Sequence, residues 1–482
     1  MILSFIAKPN AKNLSILFLA AFLVRACTFY FYVQHEDRYH QADSNDYHVG
    51  ALTVALGYGM IKPGGQPVFW RTPGYPLYLS AFYKLFGLKS GAFEDNAPAQ
   101  KAALWLQLFL CSLIPIIIFY LALSLIGILN IAWITAWISV FHVGMVLSSV
   151  YLLTEGLTLI FFYLFLLFFY KSFRAIGEYS ADTSSWKKNL FIAALLLGAA
   201  TWIRPMGEFV SIACAFLILL FAQDSFKNKL KKIGLFLFVF YACLVPWYIR
   251  NYQLTGKLFF CPMFGTYLNA FVAPKILRIT HNITFEQAWR YLQNTAGQNA
   301  MQQLSASQAT GIFLVPEHFA LATAMPIIKE HPFLALKVWM PEVLKTAFDL
   351  YSFQLIALAN NFFKYDPLEE FLPEKIAATL YAKPAPWWMR IICWLDFLFT
   401  VWLWLSLFAG LIIFWIMPLI KRFQVSPAIK NMAGFWLKTA FLTGSIMFMT
   451  GGFGYARLRL PVEPLMIIAA LTLYYAPWKR ND

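Results

Sequence analysis

The sequence predicts an all-α polytopic membrane protein with about ten transmembrane helices. Of its 482 residues, 60% are hydrophobic, 18% are aromatic and only 13% are charged, whereas soluble proteins carry about 25% charged residues. The mean hydropathy of +0.62 agrees, and the apolar residues cluster in runs of about 20, the length that crosses a bilayer. This composition excludes a soluble enzyme, a disordered chain and a disulfide scaffold.

The apolar runs predict the membrane spans. Lys8 and Lys12 precede the first run and no small-residue cleavage site follows it, so we expect an uncleaved anchor and not a signal peptide. The dipeptide Arg204-Pro205 divides the two shortest runs. In chain order, the ten spans cover about 14–34, 102–122, 129–150, 155–170, 189–203, 207–222, 233–249, 391–418, 433–450 and 461–478.

The basic residues predict how the chain is oriented. With the N-terminus in the cytoplasm, the inner segments hold 15 basic and 4 acidic residues and account for +11 of the formal net charge of +15. The charge therefore reflects topology, and we expect no nucleic-acid partner. Both termini are predicted to be cytoplasmic, in a multi-pass protein of the bacterial cytoplasmic (inner) membrane. The inner segments are 1–13, 171–188, 223–232, 421–431 and 479–482, with an uncharged turn near 123–128.

Two long segments, 35–100 and 251–389, then lie on the extracytoplasmic side. They divide the chain into an N-terminal transmembrane module (1–250) that contains the first outer loop, an extracytoplasmic domain (251–389) and C-terminal transmembrane helices (390–482). The first loop has partly apolar stretches typical of interfacial helices. The second segment alternates polar helical stretches with proline-rich breaks, which predicts a small, mostly helical outer domain.

A dense polar patch follows the first span, in residues 35–48. Asp43 and Tyr47 are four residues apart, and Asp43 and Asp46 are three apart, so on a helix they share a face. Two interpretations fit this spacing: a carboxylate base held at the membrane surface, and a solvated loop in which an aspartate caps a helix. The spacing leaves both open.

Arg71 begins the turn Arg-Thr-Pro-Gly-Tyr-Pro. The two prolines predict an abrupt turn before another apolar helix, which ends near Phe86. A guanidinium group in this position can bind a phosphate at the membrane surface through two hydrogen bonds. The structural alternative is an interfacial turn whose arginine extends to the lipid headgroups.

Charged residues also occur within a turn of the outer ends of several spans. Charges at membrane depth are costly and by default indicate a functional site. Four separate outer ends contribute them, which predicts one shared polar cavity near the outer leaflet. Extension to lipid headgroups is the alternative, but it gives no reason for the two glutamates. The residues are Glu155, Arg204, Glu208, Arg250, Arg457 and Arg459.

No motif indicates a nucleotide or a metal cofactor. The sequence contains neither GxxxxGK[ST] nor GxGxxG, so a nucleotide-using reaction has no visible binding loop. The six cysteines show no CxxC or Cys/His spacing, and we interpret them as free thiols. A divalent metal ion is an open alternative for part of the chemistry, but the sequence shows no ligand set for one.

Six short motifs run in order along nearly all of the membrane part: Asp43-Ser-Asn-Asp-Tyr47, Arg71-Thr-Pro-Gly-Tyr-Pro76, Thr154-Glu155, Arg204-Pro205, Pro246-Trp-Tyr-Ile-Arg-Asn-Tyr252 and Arg457-Leu-Arg-Leu-Pro461. With these motifs the chain resembles the C-type (GT-C) polyprenyl-phosphate-sugar glycosyltransferases, the superfamily of the protein O-mannosyltransferases and the lipid A aminoarabinose transferase. It looks closest to the bacterial branch called dolichyl-phosphate-mannose-protein-mannosyltransferase-like. Residues 260–380 match no motif of that superfamily.

The resemblance implies an inverting hexosyl- or pentosyltransferase that moves a sugar from a polyprenyl-phosphate donor to an extracytoplasmic acceptor. Asp43 lies at the family's first-loop aspartate position and would be the general base. Many relatives have a second acid next to it, whereas this chain has Ser44, so Asp46 remains an alternative base. Glu155 would be a second acidic residue in the same cavity. One base and a direct displacement give inversion.

The resemblance also implies partners for the reaction. The arginines of the cavity would stabilise the charge of the polyprenyl-phosphate leaving group, and the acceptor would be a glycan, a lipid or a protein. The candidate phosphate-binding residues are Arg71, Arg204, Arg250, Arg457 and Arg459. The side chains expected to line the cavity are Tyr47, Tyr75 and Glu208.

Two other classes of function would use similar residues. A transporter or flippase of lipid-linked sugars would use the same outer charges, but it predicts inverted repeats with spans broken at matching positions. Pro115 and the break at Arg204-Pro205 have no such paired counterpart. A surface-polysaccharide ligase or polymerase would share the donor type but not the acidic motif of the first loop.

Overall fold

The computed structural model is helical throughout the residues that it describes, apart from one isolated β-bridge between Ile61 and Pro67. The predicted all-α class is therefore confirmed. Parts of several predicted segments, including 35–38 of the polar patch, lie outside the described residues. The described residues are 9–33, 39–41, 43–62, 64–88, 94–172, 186–304, 312–353, 376, 380, 386–413, 427–450 and 455–475.

Short connections join most neighbouring helices. Within the described ranges, and numbered in chain order, the helices are α1 (Ala11–Thr28, continued by a π-helical segment, Phe29–Val33), α2 (Ser44–Ala55), α3 (Gly74–Phe86), α4 (Ala97–Cys111), α5 (Ile114–Ile126), α6 (Leu129–Phe141), α7 (Val143–Val150), α8 (Glu155–Lys171), α9 (Trp186–Ile203), α10 (Gly207–Phe221), α11 (Phe226–Thr255), α12 (Met263–Tyr267), α13 (Ala273–His281), α14 (Phe285–Gln302), α15 (Pro316–Glu330), α16 (Pro332–Phe348), α17 (Trp387–Leu411), α18 (Pro427–Thr450) and α19 (Glu463–Tyr475).

Each of the ten predicted spans falls on a helix, but two of the apolar runs are broken. The run 102–122 is divided between α4 and α5 by a turn at Ser112 and Leu113. Pro115 follows near the start of α5, where its missing N–H costs no intrahelical hydrogen bond.

The run 129–150 is divided between α6 and α7, which meet at an angle of 51°. The backbone of His142 is extended at this break, and its Nδ1 accepts the N–H of Met145. His142 therefore caps the N-terminus of α7, which is how the chain begins a new helix within an apolar run.

By length and apolar composition, four of the described helical stretches can cross a membrane, or five if α6 and α7 form one bent span. The chain is therefore an integral membrane protein. The number of crossings, ten, and the side on which each loop lies remain predictions. The four stretches are Ala11–Phe31, Ala97–Ile126, Phe226–Thr255 and Trp387–Leu411.

Helix α19 lies at the centre of the largest core. Its residues from Leu465 to Ala470 are all fully buried, as expected for a helix that is apolar on every side. Side chains of α5, α8 and α11 belong to the same core, including Ile118, Phe165 and Phe240. The start of α19, which leads back to the Arg457 loop, is thereby fixed from all directions.

A second core lies beneath the loops that carry the predicted site. It includes Tyr47 and Ala51 of α2, Leu79 of α3, Leu104 of α4 and Leu153 in the segment before α8. These four elements lie between residues 44 and 153, and their shared core holds the loops together.

Helices α12 to α16 pack around a third, smaller core that contains Tyr267, Ile276, Leu292 and Ala324. One of the polar helical stretches predicted in residues 251–389 is α14, which begins with a capping box between Thr284 and Gln287. The helical character expected of residues 251–389 is thus observed where they are described, whereas their independence as a domain remains a prediction.

Gly74 at the start of α3 offers a test of how these loops are held. A Cβ atom on Gly74 would lie 2.6 Å from the carbonyl oxygen of Trp202 and 2.9 Å from the nitrogen of Ile203, which are backbone atoms that cannot rotate away. We expect Gly74→Ala to destabilise the protein by about 1–3 kcal/mol, the usual cost of overpacking, as measured by thermal unfolding in detergent.

Gly234→Ala is the matched control. Gly234 lies within α11, and a Cβ atom there would have no neighbour within 4 Å. This variant should be neutral, or more stable by about 0.5–1 kcal/mol, because alanine favours the helix. Equal effects of the two substitutions would contradict the proposed close contact at Gly74.

Candidate active site

Asp43 and Asp46 lie at the N-terminus of α2. Asp43 occupies the position before the first helical residue, but its side chain makes no capping hydrogen bond, so the structure does not support the capping interpretation. The neighbouring Ser44 anchors the helix instead, because its Oγ donates to the carbonyl of Leu152 (2.9 Å) and accepts the N–H of Gln41 (2.9 Å). The carboxylate of Asp43 turns toward groups outside α2.

Glu155 is the first residue of α8, as predicted. Gln107 fixes the segment that precedes it, because its side-chain amide donates to the carbonyls of Ser149 (3.1 Å) and Tyr151 (2.9 Å). Leu152 follows directly and accepts the hydrogen bond from α2. The starts of α2 and α8 are therefore held side by side, and their carboxylates converge.

Arg71 and Arg204 are brought together by the turn before α3. The hydroxyl of Thr72 donates to the carbonyl of Ile203 (2.7 Å), the last residue of α9. Gly74 lies directly against the same stretch of backbone. As the sequence predicts, the chain leaves the helix at Arg204-Pro205 before α10 begins at Gly207.

Arg457 lies in a short 3-10 turn between α18 and α19. The backbone N–H of Ala456 donates to Oδ2 of Asp349 (3.2 Å). The carbonyl of Leu460 accepts a hydrogen bond from the hydroxyl of Tyr163 (2.7 Å) in α8. These contacts tie the loop both to the end of α16 and to the helix that carries Glu155.

Three carboxylates and three guanidinium groups meet at this point. Oδ2 of Asp46 is 2.8 Å from Nη2 of Arg71, and the same Nη2 is 2.9 Å from Oδ1 of Asp43. The second oxygen of Asp43, Oδ2, is 3.2 Å from Nη2 of Arg457. Each oxygen of Asp43 therefore accepts a hydrogen bond from a different arginine.

The contacts continue from Arg457 to the other end. Nη1 of Arg457 is 3.4 Å from Oε1 of Glu155, and the same Oε1 is 2.7 Å from Nη1 of Arg204. The charges thus alternate in sign along one sequence of contacts, with no net charge. We call these six residues the ion-pair chain: Asp46, Arg71, Asp43, Arg457, Glu155 and Arg204.

The two inner carboxylates of the ion-pair chain differ in accessibility. The side chain of Asp43 is 32% exposed, whereas that of Glu155 is 6% exposed. A solute from the aqueous side can therefore reach Asp43, whereas the side chain of Glu155 is almost closed to bulk solvent. Asp43 is the better placed of the two to exchange a proton with a bound molecule.

The arginines also set the basicity of Asp43. Burial alone would raise the pKa of Asp43, but the guanidinium groups of Arg457 and Arg71 outweigh it and hold that pKa below the usual value of an aspartate. Burial would likewise lower the pKa of Arg71, but Tyr47 and the two aspartates raise it. Asp43 and Arg71 are therefore both charged at neutral pH.

Tyr47 and Tyr75 are predicted to line the cavity. In the structure, Tyr47 contacts Arg71 of the ion-pair chain, and Tyr75 packs against Tyr47. The hydroxyl of Tyr47 accepts a hydrogen bond from Nη1 of Arg71 (3.4 Å), and its ring lies 5.1 Å from the guanidinium carbon. Tyr75 is fully buried, packs edge-on against Tyr47, and donates to the side-chain carbonyl of Gln107 (3.0 Å).

Arg250 and Glu208 lie apart from the ion-pair chain. The guanidinium group of Arg250 donates to the carbonyls of Val68 (3.1 Å) and Met60 (3.0 Å), and so fixes the short hairpin of the first loop. The carboxylate of Glu208 accepts the hydroxyl of Tyr248. Neither residue contacts the three predicted arginines that do converge.

Arg459 is also separate, although it is only two residues from Arg457. It is fully buried, pairs with Glu463 (3.3 Å), and donates to the carbonyls of Ala347 and Asp349. The carboxylate of Glu463 also accepts the hydroxyl of Tyr351. Successive charged residues of the motif therefore point into two different networks.

Sequence reasoning missed Gln107 and Asp349, which position the loops without belonging to the ion-pair chain. Gln107 is fully buried in α4 and bonds to the segment before Glu155. A lone amide in an apolar run was the available signal, since polar groups at membrane depth need partners. Asp349 lies in a region where no motif was recognised, so no signal pointed to it.

A small cavity of about 10 Å³ lies beneath Glu155 and Arg457, with Ser148 and Tyr351 also in its wall. This volume holds about one water molecule. Among the described residues, no group of three or more histidine, cysteine, aspartate or glutamate side chains is arranged to hold a metal ion.

No protein-family model and no curated protein matches the sequence. Among solved structures, the chain is similar to ArnT from Cupriavidus metallidurans bound to undecaprenyl phosphate, with a TM-score of 0.43 and 12% identity over 94% of this chain and 78% of that one. It is also similar to the Archaeoglobus fulgidus oligosaccharyltransferase tethered with an acceptor peptide, with a TM-score of 0.49 and 12% identity over 97% of this chain and 50% of that one.

A third similar structure is AglB from Archaeoglobus fulgidus in complex with an inhibitory peptide and a dolichol-phosphate. Its TM-score is 0.46, with 13% identity over 97% of this chain and 52% of that one. The chain thus spans about half the length of the oligosaccharyltransferase chains. ArnT and AglB are both C-type glycosyltransferases, the superfamily that the sequence motifs resemble.

The lowered pKa of Asp43 predicts a pH dependence of stability. Because folding lowers this pKa, the carboxylate stabilises the fold fully above about pH 4, the usual value for an unfolded aspartate. The contribution is lost as the pH falls further, through the pKa of the folded state. We therefore expect the thermal midpoint of Asp43→Asn to fall less than that of the unsubstituted protein between about pH 5 and pH 3.

Glu286→Gln is the control for this measurement. The side chain of Glu286 is 69% exposed and lies in α14. Its substitution should leave the pH dependence of the thermal midpoint unchanged. If Asp43→Asn retains the whole acid-induced loss, the two arginines do not stabilise the charged form of Asp43.

Proposed function

We propose that the ion-pair chain is the active site of an inverting glycosyltransferase, which moves a sugar from a polyprenyl-phosphate-linked donor to an acceptor. The observation that carries the proposal is the convergence of two guanidinium groups, from separate loops at the ends of apolar helices, on one partly exposed carboxylate, Asp43. A third guanidinium group, that of Arg204, is held beside them by Glu155. This arrangement combines a phosphate clamp with a base. In the predicted topology, the reaction takes place at the extracytoplasmic face of a bacterial inner membrane.

The arginines of the ion-pair chain are suited to bind the donor phosphate. A phosphate presents several oxygens with the same preference for guanidinium N–H groups as a carboxylate. It can therefore take the place of a carboxylate beside Arg71, Arg204 or Arg457 without leaving those donors without acceptors. A lipid-linked phosphate at the end of the apolar helices would reach them from the membrane.

This exchange would also activate Asp43. In the absence of donor, both of its oxygens accept hydrogen bonds from arginines, so it is a weak base. When the phosphate takes over part of these hydrogen bonds, the carboxylate gains an oxygen that can accept a proton. Binding of the donor and readiness of the base are thereby coupled.

The reaction then needs one displacement. The hydroxyl or amine of the acceptor attacks the anomeric carbon while Asp43 takes its proton. The bond between that carbon and the phosphate oxygen breaks, and its electron pair leaves with the polyprenyl phosphate. The arginines stabilise the charge that develops on the leaving oxygen. The configuration at the anomeric carbon is inverted, since there is one displacement and no covalent intermediate.

Glu155 serves this site as a positioning residue in our proposal. It is buried and accepts hydrogen bonds from Arg204 and Arg457 through the same oxygen. It thereby sets the spacing between two of the three guanidinium groups. At the other end of the ion-pair chain, Asp46 positions Arg71. Its Oδ2 accepts hydrogen bonds from Nη2 (2.8 Å) and Nε (3.2 Å) of that arginine.

The base assignment is tested with Asp43→Asn. We expect kcat for sugar transfer to fall roughly 10²- to 10⁴-fold, because asparagine cannot accept the proton, while donor binding is retained. The donor is first identified as the polyprenyl-phosphate sugar that accumulates in a deletion strain. Purified variants are then assayed with that donor and the acceptor that the strain fails to modify.

Asp46→Asn is the matched control. Asp46 lies three residues after Asp43 and pairs with the same arginine, Arg71, so the substitution removes a carboxylate charge from the same site. We expect it to retain most of kcat. Loss of transfer in Asp46→Asn with activity preserved in Asp43→Asn would assign the base to Asp46 instead.

The phosphate clamp is tested with Arg204→Ala and Arg457→Ala. A hydrogen bond to a charged group contributes about 1.5–3 kcal/mol, so the Kd for the donor should rise about 10- to 100-fold in each variant. Arg290→Ala is the control, because Arg290 lies in α14 with its side chain 69% exposed. Unchanged donor affinity in both site variants would refute the clamp.

A further inference from the structure

Helix α16 exposes an apolar stripe, although the sequence places it in an outer domain. Phe333, Leu336, Met340 and Leu344 recur every three or four residues, which puts them on one face of the helix. They are between 39% and 88% exposed. Lys337 is the one charged residue among the exposed side chains of this helix, and a lysine can extend its ammonium group toward a polar surface.

Helix α14 of the same group exposes mainly polar residues. Its exposed residues include Glu286, Gln287, Arg290, Asn294 and Gln298, alongside the large side chains of Trp289, Tyr291 and Met301. Polar residues that recur along the exposed face are typical of a helix in contact with water. The exposed face of α16 is therefore apolar, whereas that of α14 is mainly polar. This difference indicates that α16 faces an apolar environment and not water.

The contacts of α16 place it beside α17 and α18, two helices that correspond to predicted membrane spans. The indole N–H of Trp339 donates to the carbonyl of Phe448 near the end of α18 (2.9 Å). The indole N–H of Trp404 in α17 donates to the carbonyl of Ala347 near the end of α16 (2.7 Å). Trp404 is seventeen residues beyond Trp387, about 25 Å along the helix at 1.5 Å per residue.

These contacts indicate that α16 descends along the membrane part. Its middle lies at the end of α18, and its C-terminus lies well within the length of α17. Phe448 and Met449 of α18 are 42% and 46% exposed, and α17 exposes Leu398 and Leu405. The apolar stripe of α16 therefore adjoins the surfaces that the neighbouring spans present to lipid.

The backbone beyond α16 is satisfied in the way that membrane depth requires. No water is available there, so irregular backbone must bond to protein groups. Arg459 donates to the carbonyls of Ala347 and Asp349, and the carboxylate of Asp396 accepts the N–H of Ser352 (2.8 Å). Two charged residues of the membrane part are thus explained by the backbone groups that they cap.

The one acidic residue of α16, Glu342, is paired in a way that suits a low-dielectric environment. Glu342 accepts from both Lys275 (2.6 Å) and Lys345 (3.2 Å), and all three side chains are largely buried. The charges therefore lie on the protein side of the helix. Charges within membranes are tolerated in such paired arrangements.

We propose that α16 and the segment after it, residues 349–353, insert into the membrane leaflet next to the candidate active site. Leu336, Met340 and Leu344 contact the acyl chains, and Phe333 lies toward the headgroups. This proposal does not depend on the proposed sugar transfer. It links the lipid to the site, because Asp349 accepts the N–H of Ala456, one residue before Arg457.

Spin labels test the insertion directly. Leu336→Cys and Leu344→Cys are labelled in a Cys27→Ala background, since Cys27 is the exposed cysteine of the six, and are reconstituted in phospholipid nanodiscs. Accessibility is measured to oxygen, which partitions into lipid, and to a nickel chelate, which stays in water. Met340→Cys replaces either variant if it does not retain the thermal midpoint of its background.

Gln287→Cys in α14 is the water-facing control. We expect the oxygen-to-nickel ratio at Leu336 and Leu344 to be several-fold higher than at Gln287, and at least as high at Leu344 as at Leu336. Ratios equal to that of Gln287 would place α16 in water and overturn the proposal. Exclusion of both reagents would mean that protein, such as a second copy of this chain, covers the stripe, and would overturn it as well.

Discussion

The structure of the site depends on one constraint: six charged side chains near a low-dielectric region must neutralise one another. The ion-pair chain meets it by alternating signs, so that each inner group has two partners. Removing one partner of a buried ion pair leaves an unpaired charge, which costs much free energy. The loops that carry them are accordingly fixed by buried hydrogen bonds, from Thr72 to the end of α9 and from Ser44 to the segment before α8. The second hydrophobic core, which lies beneath these loops, keeps them in this arrangement.

The sequence identified the members of the ion-pair chain but could not identify the pairs. Charged residues at the ends of apolar runs are visible because they conflict with their surroundings. The partner of each depends on contacts such as that between Asp43 and Arg457, which are 414 residues apart. The position of Arg459, two residues further, gave the same signal, yet its side chain turns into the protein. A charge pattern reports that a residue needs a partner and does not report whether that partner is a carboxylate or a backbone carbonyl.

The helical breaks show the same limit for the fold. An apolar run of twenty residues predicts a span, and helices do occupy all ten runs. The bend at His142 depends on an extended backbone at one residue and on a hydrogen bond to Met145. Hydrophobicity does not encode that choice, because the side chains on both sides are equally apolar. The outer helices are predicted from polar stretches, and such stretches do not reveal the apolar face of α16.

Whether an arginine also donates to backbone carbonyls separates two groups among the five predicted arginines. Arg71, Arg204 and Arg457 contact carboxylates, and an incoming phosphate can replace a carboxylate oxygen with little change in the number of charged hydrogen bonds. Arg250 and Arg459 donate to backbone carbonyls, although Arg459 also pairs with the carboxylate of Glu463. If an anion drew these two away, buried carbonyls would be left without donors, at a cost of about 1–3 kcal/mol each. The first group can therefore exchange partners during a reaction cycle, whereas the second group holds the backbone in place while the exchange occurs.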